Sequence, residues 1–234
     1  MSLARSVASF SGMTLISRVL GLVRDVVLAR MFGASAATDA FFVAFKIPNF
    51  LRRLFAEGSF SLAFVPVLSE YRERNDHAAL RSLIDAAAGS LMAVLLVLTA
   101  FGVLAAPAVI RVFSPGFADD PAQLALASDL LRITFPYLPL IALTALAGGI
   151  LNTLGRFALP AVTPALLNVC LIVSAIWLSP RFAEPVTALA WGVLAAGVLQ
   201  LAVQLPTLAR HGVLPRPWPN FRHPGVRRIL RLMV

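Results

Sequence analysis

The sequence is short of charge. Asp, Glu, Lys and Arg make up only 13% of its 234 residues, whereas 59% are hydrophobic and the mean hydropathy is +0.85. A soluble domain of this size carries about 25% charged residues. This balance fits a protein whose solvent is a lipid bilayer, and it disfavours a large soluble core.

Cysteine and the residues of common catalytic motifs are also scarce. Cys170 is the single cysteine and lies within an apolar run, which excludes an intramolecular disulfide framework and a cysteine metal site. His77, His211 and His223 lack metal-ligand spacing. The chain contains no G-x-x-x-x-G-K, G-x-S-x-G or H-E-x-x-H sequence. We therefore expect no enzymatic activity, no catalytic residue, no metal and no cofactor.

Long apolar runs dominate what is present. Four stretches contain no Asp, Glu, Lys or Arg, and each exceeds the roughly 20 helical residues that cross a hydrocarbon core; they are Ala86–Ile110, Ile133–Gly155, Phe157–Pro180 and Pro185–Ala209. Two earlier apolar segments carry charges. The pattern predicts an all-α, polytopic membrane bundle with six transmembrane helices. Their approximate bounds are 6–30, 37–68, 84–110, 130–154, 157–180 and 185–209.

The arginines in the connections predict the orientation. One side of the bundle would carry eleven of them: Arg5, Arg72, Arg74, Arg81, Arg156, Arg210, Arg216, Arg222, Arg227, Arg228 and Arg231. The other side would carry four: Arg30, Arg111, Arg132 and Arg181. Because cytoplasmic loops are enriched in Lys and Arg, we place the first side and both ends of the chain in the cytoplasm.

Two regions follow from this topology. Residues 1–209 would form the six-helix transmembrane lobe, and residues 210–234 a basic cytoplasmic linker with the start of a further helix. The closing "PGVRRILRLMV" is basic and amphipathic and then stops, so we expect a truncated chain, with a cytoplasmic interfacial helix as the alternative. Basic residues beside a membrane attract anionic lipid, so we expect membrane lipids and not nucleic acid as their partners.

Amide side chains within the helices are expected to form interhelical hydrogen bonds; they are Asn152, Asn168, Gln200 and Gln204.

The first two helices hold most of the charge inside apolar segments. Their cations are Arg18, Arg24, Lys46, Arg52 and Arg53, and their acids are Asp25, Asp39 and Glu57. Each such charge costs about 2.5–3.5 kcal/mol at a lipid-facing helix centre, so these side chains should face the bundle interior or a wet cavity. Five cations against three acids leave a surplus of two positive charges. This surplus favours an anion site, and arginine favours phosphate because its planar fork binds two oxygens.

Local spacing adds narrower expectations. Arg53 and Glu57 are four residues apart and can form an ion pair on one helix face, while Arg24 could meet Asp39 across the bundle. Pro48 should kink or break the second helix near residues 45–46. The alternative is that these charges form purely structural ion pairs. A voltage sensor is a weaker alternative, because Arg18 and Arg24 are six residues apart and not three.

A family resemblance adds to this interpretation. The stretch "SRVLGLVRDVVLARMFGASAATDAFFVAFKIPNFLRRLFAEGSFSLAFVPVLSEY" resembles the N-terminal signature of the MurJ (MviN) family of lipid II flippases. "SPGFADD", "ITFPYLPLIAL", "GGILNTLGRFALPAVTPALLN" and "ALAWGVLAAGVLQLAVQLP" extend the resemblance to about residue 222. The family belongs to the multidrug/oligosaccharidyl-lipid/polysaccharide exporter superfamily. Its members have 14 transmembrane helices in two lobes, so the chain would be the N-lobe without its C-lobe.

The resemblance implies a function and a site. The family moves the undecaprenyl-pyrophosphate-linked disaccharide-pentapeptide from the cytoplasmic to the periplasmic leaflet of the bacterial inner membrane by alternating access. Matching positions imply that Arg18, Arg24, Arg52 and Asp39 contact the pyrophosphate. Asp25, Lys46, Arg53 and Glu57 are implied as supporting residues. The alternatives are an exporter for another lipid-linked glycan or a drug, and a structural membrane module.

Overall fold

A computed structural model describes residues 3–53, 59–74 and 76–233. The described residues form eleven α-helices joined by turns and short helical segments, with no strand among them. The helices are α1 (Leu3–Phe32), α2 (Ala36–Arg52), α3 (Ser59–Glu73), α4 (His77–Leu104), α5 (Ala106–Phe113), α6 (Pro121–Thr134), α7 (Tyr137–Thr153), α8 (Ala158–Val173), α9 (Thr187–Ala202), α10 (Leu205–Arg210) and α11 (Pro224–Leu232).

Four helical segments of the described chain are long and apolar enough to cross a membrane. They are His77–Leu104, Pro121–Thr153, Ala158–Arg181 and Thr187–Arg210. The predicted class, an all-helical membrane bundle, is therefore confirmed. The helices α1 and α2, which carry the embedded charges, are not among these four. One turn of π-helix and one of 3₁₀-helix continue α8 to Arg181.

The core of the bundle lies where α7 and α9 pack together, with α2 and α6 on one side of α9 and α8 on another. Small residues on α9 permit this close approach. A methyl group at Gly197 would lie only 2.8 Å from Cδ2 of Tyr137, a fully buried ring of α7. The first helix packs mainly on α8, whereas α2 packs on α6 and α7. The two charged helices are thus held by different neighbours.

Of the kink or break predicted near residues 45–46, the break does not occur, and the structure gives the reason. Pro48 has no N–H, so the carbonyl oxygen of Ala44 loses its helical hydrogen bond. The hydroxyl of Thr134 on α6 donates to that oxygen at 3.1 Å. A neighbouring helix thus supplies the missing donor, and α2 continues through Pro48 to Arg52.

The polar region after α10 folds back along the bundle. Residues 213–223, here called the strap, run beside α4, and the Arg216 backbone N–H donates to Oδ1 of Asp85 at 2.7 Å. Beyond the strap, α11 lies against α3 and α4. Arg228 on α11 forms a 2.6 Å ion pair with Glu70 of α3. The basic region predicted from the sequence is thus attached to the helical bundle.

Candidate functional site

Arg24 makes three hydrogen bonds at the predicted site. Its Nη2 lies 2.7 Å from Oδ1 of Asp25, to which its Nε also donates, and its Nη1 donates to Oδ1 of Asn168 at 2.9 Å. The side chain is 25% exposed. A guanidinium has five N–H donors, so these three bonds leave two for a ligand. Arg24 is therefore held in place and still able to bind an anion.

Asn168 ties this arginine to the fold. Its Nδ2 donates to the backbone oxygen of Ser17 at 3.1 Å, while its Oδ1 accepts from Arg24. A methyl group at Gly21 would lie 3.7 Å from Nδ2, an ordinary contact, so α1 passes close to the amide at this position. The expected interhelical hydrogen bonding of Asn168 is confirmed. Its contact with a site arginine was missed, because the two residues are 144 positions apart.

Arg18 and Asp39 are exposed. Asp39 lies in the first turn of α2, where a carboxylate interacts favourably with the helix dipole. The hydroxyl of Ser35 caps the same helix by accepting from the Thr38 N–H at 3.2 Å. Among the described residues Asp39 forms no ion pair, and the carboxylate bound to Arg24 is Asp25. The structure thus brings Arg24 together with its sequence neighbour and not with Asp39.

Arg52 lies at the edge of a cavity of about 270 Å³ between α7, α8 and the end of α9. Its side chain is half-buried, and its Nε donates to Oδ1 of Asn49 at 3.0 Å. The rest of the lining is neutral and includes several side chains that form hydrogen bonds, among them Tyr137, Thr144 and Gln204. The cavity therefore combines one cation with uncharged donors and acceptors.

Lys46 and Arg53 face a different space. Both are exposed and line a second cavity, of about 400 Å³, next to Phe50 and Phe113. The adjacent arginines 52 and 53 therefore line separate cavities. Glu57 lies outside the described residues, so the ion pair predicted for it is not described.

The site is consequently an open, net-positive surface. Of its seven described charged residues, only Arg24 and Arg52 are half-buried; the others, Arg18, Asp25, Asp39, Lys46 and Arg53, are exposed. The described residues contain no group of His, Cys, Asp and Glu arranged to hold a metal ion. Exposed guanidinium groups on apolar helices can bind a phosphate.

Comparison with known proteins identifies the family. A family model described as "Lipid II flippase MurJ" matches residues 28–234. The chain belongs to the MurJ family. It is similar to the lipid II flippase MurJ of Burkholderia cenocepacia, with 48% identity over the whole chain and 46% of that relative. It is also 52% identical to a probable lipid II flippase MurJ of Vibrio cholerae, over 96% of this chain and 44% of that one.

A solved structure agrees with this membership. A lipid II flippase MurJ in an inward closed conformation matches 96% of this chain and 45% of its own length, with a TM-score of 0.79 and 30% identity. The chain thus spans a little less than half the length of the MurJ proteins it matches. The resemblance noted along the sequence to about residue 222 is confirmed, and the structural match covers 96% of the chain.

Proposed function

We propose that the chain is the N-lobe of a lipid II flippase. In the complete protein, this lobe would help to move the undecaprenyl-pyrophosphate-linked precursor from the cytoplasmic to the periplasmic leaflet by alternating access. The MurJ family match over residues 28–234 supports the cargo, and the coverage of about 45% of the relatives supports a lobe paired with a second half. Flipping transfers a lipid without breaking a covalent bond, so the assignment is to a transporter.

The proposed topology has six crossings in residues 1–209 within a 14-helix protein. The crossings would be α1, α2 with α3, α4, α6 with α7, α8 with its continuation, and α9 with α10. Residues 210–234 and both ends of the chain would lie in the cytoplasm of a bacterium, beside the inner membrane. The excess of arginines on that side supports this orientation.

Arg18, Arg24 and Arg52 are the proposed ligands of the pyrophosphate, and Asp39 is proposed to neutralise a cation as the lobe changes state. The observation that carries this proposal is the exposed positive charge. Arg18 and Lys46 form no ion pair with any described residue, and Arg24 keeps two free N–H donors. Positive groups left unpaired on membrane helices are costly unless a ligand or water solvates them. A phosphate group compensates them at the cleft that the second lobe would close.

The experiment uses the full-length protein in vesicles. Arg18→Ala, Arg24→Ala and Arg52→Ala are each expected to slow lipid II flipping at least about tenfold, the loss of one charge-assisted contact. Arg132→Ala is the matched control, because Arg132 is exposed and forms its ion pair with Asp129, outside the proposed site. Thermal unfolding of each variant separates transport loss from misfolding. Normal flipping in all three variants would refute the site.

A further inference from the structure

The cavity beside Arg52 has an unusual wall for the interior of a membrane bundle. Tyr137, Thr144, Asn152, Thr163, Gln200 and Gln204 bring neutral polar groups into it. Pro160, Pro164 and Leu167 supply apolar surface between them. Mixed walls of this kind, with few placed polar groups, are typical of sites for small organic groups.

Gln204 provides an acceptor that the protein leaves unpaired. The residue is completely buried, and no donor from the described residues bonds to its Oε1. Its Nε2 donates to the backbone oxygen of Thr144 at 3.3 Å. This bond fixes the amide orientation, because a flipped amide would place two oxygens against each other. A buried acceptor without a donor is costly, so this oxygen should bind a donor from a ligand.

The neighbouring amide shows the contrast. Gln200 is also buried, yet its Nε2 donates to the Thr163 backbone oxygen at 2.6 Å and its Oε1 is 3.5 Å from the Tyr137 hydroxyl. Both polar atoms of the Gln200 amide therefore have partners within the protein, whereas the side-chain oxygen of Gln204 has none among the described residues. Both amides confirm the predicted interhelical hydrogen bonds, but only Gln204 has an acceptor left over.

The charges and the size restrict the ligand. The lining contains one guanidinium and no carboxylate, which disfavours a cation. A volume of about 270 Å³ lies at the lower end of the roughly 300–1,000 Å³ that is typical of small-molecule sites. That suits one sugar ring and is too small for a disaccharide with its peptide. The ligand must also donate a hydrogen bond, as a hydroxyl or an amide N–H does.

We infer that this cavity binds the sugar ring joined directly to the pyrophosphate, with Gln204 Oε1 accepting from one of its hydroxyl or amide groups. The inference rests on the proposed function, because Arg52 at the cavity edge would hold the adjoining phosphate. A pyrophosphate at Arg52 would have the isoprenoid chain on one side and the sugar on the other, and the polar wall of the cavity matches the sugar. The pocket thereby distinguishes a glycosylated carrier lipid from a bare one.

Gly148 allows a test that does not remove any hydrogen bond. A methyl group at this position would sit 3.4 Å from Pro160 Cβ and 3.8 Å from Gln204 Oε1, both ordinary contacts. Gly148→Ala therefore narrows the cavity next to the acceptor. Alanine also favours the helix more than glycine does, so a loss of binding cannot be attributed to unfolding. Gly149→Ala is the matched control, since its methyl would meet Phe64 and Val65 at 3.6 Å instead.

The measurement is the affinity of the full-length protein for two lipids, lipid II and undecaprenyl pyrophosphate. Gly148→Ala should keep the sugar away from Gln204 Oε1, and Gln204→Met removes that acceptor. Each should therefore weaken lipid II binding by about threefold to tenfold, the effect of one hydrogen bond between protein and sugar. Both variants should bind undecaprenyl pyrophosphate with an affinity within about twofold of the parent protein's. This lipid has no sugar, so it does not make the hydrogen bond to Gln204 that the variants affect. Gly149→Ala should change neither affinity.

Two results would overturn the inference: an unchanged affinity for lipid II in both variants, or an equal loss for both lipids. Either would mean that the cavity holds only water. Arg18→Ala, measured in the same assay, tests the phosphate site separately from the sugar site. If Arg18→Ala lowers the affinity for both lipids while Gly148→Ala lowers neither affinity, the phosphate site stands and the sugar site fails. If Arg18→Ala weakens neither lipid, Arg18 fails as a phosphate ligand whatever the result at Gly148.

Discussion

Arg24 on α1 donates a 2.9 Å hydrogen bond to Asn168 on α8, and Asn168 returns a hydrogen bond to α1 at Ser17. One amide therefore positions the proposed phosphate ligand and joins two helices. This dual role makes Asn168 the residue at which positioning and binding can be separated.

Asn168→Asp should weaken anion binding. The new carboxylate still accepts from Arg24 but neutralises it, so one positive charge of the site is lost. The carboxylate also has no N–H for the Ser17 oxygen, so the bond to α1 is lost as well. We expect lipid II affinity to fall about tenfold, the scale of one charge-assisted contact, and the stability to fall by about 1–3 kcal/mol. Asn168→Leu also loses the Ser17 bond but adds no charge, so a difference in lipid affinity between the two variants reports the charge of Arg24. Equal lipid affinity in Asn168→Asp and the parent would argue against Arg24 as a ligand.

The bond from Thr134 to the Ala44 oxygen predicts a rescue. Thr134→Val leaves that buried oxygen without a donor and should lower the free energy of unfolding by about 1–3 kcal/mol. In the background of Pro48→Ala, the restored backbone N–H of residue 48 can bond the Ala44 oxygen. Thr134→Val should therefore lower the free energy of unfolding far less in that background. A double-mutant cycle by thermal unfolding in detergent measures this coupling. Additive effects would show that the hydroxyl does not replace the missing N–H.

Gly89 should be intolerant of a side chain because of the strap. A methyl group there would overlap the backbone of Trp218. Gly89→Ala is thus expected to displace the strap and to speed tryptic cleavage after Arg222 by about tenfold, equivalent to about 1.4 kcal/mol of weakened docking. Gly116→Ala, where a methyl group meets no atom within 4 Å, is the control. Equal cleavage rates in the two variants would disprove the contact.

Docking of α11 should depend on pH through His223. Burial lowers the pKa of this imidazole below its usual 6.5, and its neutral Nδ1 accepts from the Gly225 N–H at 3.1 Å. The ring lies beside Tyr71, over which Arg74 is placed, so protonation adds a cation near another one. Because the undocked state binds the proton more tightly, docking is complete above pH 6.5 and weakens as the pH falls below it.

Hydrogen exchange of residues 224–232, corrected for the intrinsic effect of pH, measures this change. In His223→Asn the side-chain oxygen can still cap α11 but does not titrate. Protection in that variant should be independent of pH between about 5 and 8, the range in which histidine changes charge. If the parent protein and His223→Asn show the same pH dependence of protection, a group other than His223 controls the docking of α11.

The membrane class was predictable because hydropathy is additive along the chain. Runs without charge, such as Ala86–Ile110, identify a lipid-crossing helix wherever its neighbours lie. The excess charge of the first two helices was equally visible. Both features depend on composition within one segment.

The partners of those charges were not predictable, because they come from distant segments. Nothing local to Arg24 indicates Asn168, and nothing near Pro48 indicates Thr134. The cavity at Gln204 likewise arises from three helices that meet. A buried glutamine near a helix end was the only available signal, and hydropathy alone could not show which of its atoms lacked a partner.

The link between Pro48 and Thr134 also has an evolutionary consequence. In a descendant that keeps the proline, loss of the hydroxyl exposes an unpaired oxygen in the core, and selection removes it. In a descendant that has replaced the proline, position 134 is free to become valine or alanine. The order of the two replacements is therefore constrained: the proline must change before the threonine.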